Sequence, residues 1–157
     1  MSTRAPSASI LIRIVVGAVF LSEGIQKFII PDARGVGRFE SIGLPSPEIL
    51  ANFVGAVEII SGSLLMVGLL TRLAAISLII IMITAIITTK IPILLGHSYW
   101  GLNLRDLSSY GFWSMAHASR TDFAMLFGSL YLLIVGSGTI SLDYIIKGRT
   151  AKPSRKR

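Results

Sequence analysis

Long apolar stretches alternate with short polar ones along this chain, at a length scale that matches a lipid bilayer. Four mainly apolar runs, about 10–30, 47–70, 73–91 and 121–142, each reach the 18 or more residues that mark a candidate spanning helix. Pro31 stops the first, because its ring disfavours helix in the residue before it. The polar, glycine-containing stretch that follows (Asp32, Arg34, Gly35, Gly37, Arg38, Glu40, Gly43) reads as a loop. Ser46 is placed as N-cap of the second run and Pro47 at its first helical position. Gly68 to Leu73 leaves only a few residues to turn around, so runs two and three form an antiparallel hairpin. Run three carries no charge before Lys90, and Pro92 ends or kinks it.

A connection of about 25 residues, Gly96 to Arg120, holds Tyr99, Trp100, Tyr110, Phe112 and Trp113. Loops of that length without structure are uncommon, and Trp and Tyr favour the membrane interface, so a short interfacial helix or re-entrant cap is predicted there. Ser119-x-x-Asp122 reads as a capping box opening run four. The glycines at 136 and 138 place its end near the headgroups. The fold class is all-α: one domain over 1–157, a four-transmembrane-helix bundle, up-down-up-down, with a long aromatic connection between helices 3 and 4.

Composition agrees. Charged residues make up 15% of the chain against about 25% in ordinary soluble domains, and the four runs leave no room for a separate soluble domain. The net charge of +7 owes much to a basic tail over 147–157, with six Lys and Arg in the last eleven residues. Such a tail after a spanning helix suits anionic lipid headgroups better than nucleic acid. Nine Lys and Arg fall on the side of the termini and six on the other, which places both termini in the cytoplasm. There is no cysteine, hence no disulfide, thiolate nucleophile or Cys-ligated cluster. Arg13 interrupts what would be the h-region of a signal peptide, so the first run is read as a retained helix. His97 and His117 have no metal-ligand spacing, and interfacial hydrogen bonding is the preferred reading for both; no metal site is assigned.

Charge inside the apolar runs changes the picture most. Glu23 and Glu58 each lie near the middle of a run, where an ionisable group costs roughly 2.5–3.5 kcal/mol on insertion scales. At about 100° per residue, Arg13, Gly17, Gly24 and Lys27 share one face of the first helix, with Glu23 at its edge. Gly55, Glu58 and Gly62 share a face of the second. Small residues bracketing the charges suit close helix approach, so these glycines are assigned a structural role. Antiparallel neighbours bring the two carboxylates to nearly one level, with Lys27 one turn above and Arg13 and Arg72 flanking the cytoplasmic end. Two readings stay open. Glu23 and Glu58 form a proton-handling pair beside a polar ligand held by Arg13, Lys27 and Arg72. Alternatively, Glu23 and Lys27 neutralise each other at i,i+4 while Arg72, Arg13 or backbone holds Glu58.

Three segments in order, Arg13-x3-Gly17-x2-Phe20-x3-Gly24-x2-Lys27, then Gly55-x2-Glu58-x3-Gly62-x5-Gly68-x3-Arg72, then Gly136-Ser-Gly-x2-Ser141-Leu142-Asp143, resemble the DoxX family of small four-helix membrane proteins. The similarity covers about residues 8 to 146. It departs at Ser137, where many relatives have proline, and in the aromatic connection, which belongs to one subgroup. The resemblance implies a bacterial inner-membrane protein, often labelled an oxidoreductase, with links to thiosulfate:quinone oxidoreduction and to complexes that handle oxidative stress. It points to Arg13, Glu23, Lys27, Glu58 and Arg72. The chain has no redox centre of its own, so a redox role requires a diffusible quinone or a partner subunit carrying the cofactor. A proton-coupled small-molecule transporter and a non-catalytic assembly or scaffold protein are the alternatives. The sequence sets no oligomeric state.

Overall fold

The computed structural model describes residues 7–150, with side chains through 146. The basic tail falls outside the described side chains. Among the described residues seven helices follow one another: α1 Ser9–Ile29, α2 Pro31–Arg34, α3 Val36–Ile42, α4 Pro47–Val67, α5 Thr71–Leu95, α6 Phe112–Val135 and α7 Leu142–Thr150. Of these, α1, α4, α5 and α6 are long and apolar enough to cross a membrane. The bundle buries several polar side chains beside its apolar core and exposes many large apolar ones. Its buried side chains include Arg13, Glu58, Ser61, Lys90, Ser119 and Ser129, while Leu11, Ile60, Leu73, Phe127 and Ile134 are each more than half exposed. An apolar exterior of that extent needs lipid against it.

Glycine sets the closest contact. A Cβ on Gly62 would stand 2.8 Å from the Gly17 carbonyl oxygen, and one on Gly24 would stand 2.8 Å from that of Gly55. Gly17 thus faces Gly62 and Gly24 faces Gly55, which makes α1 and α4 antiparallel and lets their backbones touch. Helices α5 and α6 also run antiparallel. The Arg72 guanidinium donates to the Ile134 carbonyl at 3.2 Å near one end, and Gly111 N–H donates to the Ile93 carbonyl at 3.0 Å near the other. Phe20, Leu65, Leu78 and Leu132 fill the core between the helices.

Several boundaries differ from the sequence reading. The third span continues through Pro92 to Leu95, because a proline this near the end removes little of the hydrogen-bond ladder. The fourth span starts at Phe112, not near residue 121, and ends at Val135. Ser119 is therefore interior, its hydroxyl donating to the Met115 carbonyl at 2.6 Å, and Ser119-x-x-Asp122 caps nothing. The connection shrinks to 96–111, and the helix predicted within it is instead the first turns of α6. The first polar loop folds into α2 and α3. Ser46 sits in the left-handed region and makes no side-chain cap bond, although Pro47 does open α4.

Candidate functional site

The ionisable groups near the end of the bundle that carries α2 and α3 are organised by where helical side chains lean. Lys27 lies about six residues, or roughly 9 Å, from the level of Glu58 in the α1–α4 register. Side chains on a helix tilt toward its N-terminus, and in antiparallel neighbours those tilts converge. Lys27 Nζ accordingly meets Glu58 Oε2 at 2.5 Å, with the two side chains only 10% and 4% exposed. The ammonium also reaches the carbonyl oxygen of Glu23 at 3.4 Å. It does not bond the Glu23 carboxylate, so the i,i+4 pairing with Glu23 is not what neutralises Lys27.

Across the bundle, Lys90 Nζ and Asp122 Oδ2 pair at 3.1 Å between α5 and α6. The sequence reading missed this second pair, having assigned Asp122 to a cap and given Lys90, at the end of run three, no partner. The available signal was a lone lysine late in one apolar helix and a lone aspartate early in the next, positions that antiparallel helices bring toward each other.

Both pairs line one cavity of about 510 Å³. Its apolar wall includes Val19, Phe20, Met82 and Met125; its polar part adds Glu23, Arg34 and Arg38. None of the side chains of Glu23, Arg34 or Arg38 makes a hydrogen bond or ion pair among the described residues. A second cavity of about 460 Å³ lies beside it, lined by Asp32, Arg38, Lys90, Asn103, Arg105 and Asp106. Arg38, Ile42, Thr89 and Lys90 border both. The connection 96–111 covers this outer chamber: Asn103 N–H donates to the Ile42 carbonyl at 2.7 Å and its amide to Ser41 at 3.1 Å.

Residues 8–91 match the family model of DoxX. The chain belongs to the DoxX family. Its similarity to the uncharacterized membrane protein Rv3486 of Mycobacterium tuberculosis (strain ATCC 25618 / H37Rv) is 48% identity over 143 residues, covering 91% of this chain and 83% of that one. It is 29% identical to the Bacillus subtilis (strain 168) protein named "Putative oxidoreductase CatD", covering 90% and 89% of the two chains. No solved structure matches.

This DoxX chain places Arg13 and Arg72 at the opposite end of the bundle from the cavity. Arg13 is 2% exposed and lies about 14 residues, or roughly 21 Å, from Lys27 along α1. Its guanidinium donates to the carbonyls of Leu65 at 2.8 Å and Ile140 at 2.8 Å, and also to that of Ser137. It thereby closes the C-terminus of α4, whose last carbonyls have no helical partner. Gly68, at φ +71, lies against that guanidinium. The Gly136–Asp143 segment completes the latch: Asp143 accepts from Leu70 N–H at 2.9 Å and Thr71 N–H at 3.2 Å, capping α5 from a distance. Arg72 binds the end of α6 through Ile134. Geometry therefore divides the motif residues into a cavity group (Glu23, Lys27, Glu58) and a latch group (Arg13, Arg72, Asp143).

His97 and His117 are both exposed. His97 Nδ1 lies 2.9 Å from the Ser98 carbonyl oxygen, and His117 sits against the Arg120 guanidinium. No group of three or more His, Asp or Glu side chains converges among the described residues.

Proposed function

We propose that this DoxX protein is a membrane component of an oxidoreductase system whose inner cavity binds a quinone-like ligand. The observation that carries the reading is a cavity of about 510 Å³ lined by the Lys27–Glu58 and Lys90–Asp122 ion pairs and the unpaired Glu23. That size falls within the 300–1,000 Å³ typical of small-molecule sites. A quinone supplies the reversible two-electron, two-proton chemistry that no side chain of this chain can. The residues suit its head: apolar walls for the ring, with Arg34 and Arg38 available as donors to its carbonyl oxygens. Glu23 is placed to give or take a proton. Lys27 keeps Glu58 paired and positioned at the same wall.

The relative named as an oxidoreductase supports the redox class. Inner-membrane residence with both termini cytoplasmic and an oxidoreductase partner subunit belong to the same proposal.

The test is quinone-dependent turnover by membranes of a deletion strain complemented with Glu23→Gln or Glu58→Gln. Each variant should insert normally, and turnover should fall at least tenfold. Full turnover with Glu58→Gln and Glu23→Gln together would remove the proton role.

A further inference from the structure

The inner cavity reaches the lipid-facing surface. Phe53 on α4 and Ile80 on α5 are 64% and 59% exposed on the outside of the bundle, yet both line the same cavity as the Lys27–Glu58 pair. Thr84, one turn beyond Ile80, is also exposed and lines it. Thr84 lies about 13 residues past the start of α5, some 20 Å from the α4–α5 turn at 1.5 Å per residue. Phe53 lies at a matching distance on α4. In a hydrocarbon core about 30 Å thick, that depth is within the bilayer.

The seam is suited to contact with lipid. Thr84 Oγ1 donates to the Ile80 carbonyl at 2.9 Å and Thr88 Oγ1 to Thr84 at 2.8 Å, so neither hydroxyl donor is left unpaired. Helix α4 also touches α5 far less extensively than it touches α1 through the glycine contact.

We infer that α4 and α5 frame a lateral portal, bordered by Phe53, Ile80 and Thr84, through which a membrane-dissolved amphiphile enters the cavity. Its polar head reaches the ion pairs and Arg38 while its apolar tail lies in the portal. The outer chamber, with Asp32, Arg105 and Asp106, serves the aqueous side. The inference deepens the quinone reading by assigning the ligand an apolar tail and a route from the bilayer.

The chain has no cysteine, so a single introduced thiol reports access. Met125→Cys, inside the cavity, is tested in nanodiscs with a long-chain maleimide confined to the bilayer; Ala118→Cys, also at the cavity, replaces it if that variant does not fold. Adding Ile80→Trp should slow labelling at least tenfold, while leaving the lipid-facing control Phe127→Cys unchanged. Unchanged labelling of the cavity thiol would overturn the portal. A decyl-tailed benzoquinone should protect the cavity thiol at least tenfold better than its tail-less analogue; equal protection, or none by either, would overturn the assigned ligand. A portal that passes these tests in a protein whose complemented membranes show no quinone-dependent turnover would separate the two proposals, sinking only the functional one.

Discussion

Lys27 and Glu58 meet at 2.5 Å from helix positions that differ by about six residues in level, because each side chain leans toward the other along antiparallel helices. The pair joins α1 to α4 at membrane depth. It does so beside the cavity, so the same contact that neutralises two charges also shapes the candidate site.

Removing one partner should cost more than removing both. Lys27→Met strands the Glu58 carboxylate, and breaking a buried pair typically costs about 3–5 kcal/mol. The double variant Lys27→Met, Glu58→Leu should recover more than half of that loss, measured as thermal unfolding in a fixed detergent. A double variant less stable than Lys27→Met alone would show that the pair itself stabilises the bundle.

The second pair should behave in the same direction with a smaller amplitude. Asp122→Ala leaves Lys90 beside a position that is itself 22% exposed, whereas Lys27→Met leaves a Glu58 carboxylate that is only 4% exposed. Asp122→Ala should destabilise by about 1–3 kcal/mol, in the range of one unsatisfied buried polar group. A loss equal to that of Lys27→Met would contradict this ordering.

Glycines on the α1–α4 seam should differ in tolerance. A Cβ on Gly24 meets Gly55 backbone oxygen at 2.8 Å and Ile59 backbone nitrogen at 2.9 Å, whereas one on Gly55 meets chiefly the Phe28 ring at 2.8 Å. A ring can move; a helix backbone moves only with its helix. Gly24→Ala should therefore cost about 1–3 kcal/mol as overpacking, and Gly55→Ala clearly less. The two melting temperatures, compared side by side, decide it.

The latch should affect stability and leave the cavity alone. Asp143→Ala removes the cap on Leu70 and Thr71 N–H groups, worth about 0.5–2 kcal/mol for a helix N-cap. Arg13→Ala should cost more, since it takes the guanidinium donor from the carbonyls of Ser137 and Ile140 and leaves that of Leu65 with only the Gly68 N–H. Tailed-quinone protection of the cavity thiol should persist in both folded variants. Loss of that protection at full helical content would tie the latch to ligand binding.

Run length and apolar content by themselves determined the four spanning helices, because a bilayer accepts only segments whose backbone hydrogen bonds close internally. Helical phase also placed the glycines against a neighbouring helix and turned Glu23, Lys27 and Glu58 toward the bundle. Local rules failed where tertiary contacts override them. Ser119 and Asp122 have the spacing of a cap, yet α6 starts earlier and sends Asp122 to Lys90. The polar stretch after Pro31 read as loop because its helices are too short to show a period.

Only the tertiary structure decided which charges meet. Phase gives a direction around a helix, but register between helices depends on which backbones can touch. The Gly17–Gly62 and Gly24–Gly55 contacts set that register. It pairs Lys27 with Glu58, leaves Glu23 open to the cavity, and sends Arg13 and Arg72 to helix ends about 20 Å away. The sequence marked the charged residues as exceptional; packing divided them between a cavity and a latch.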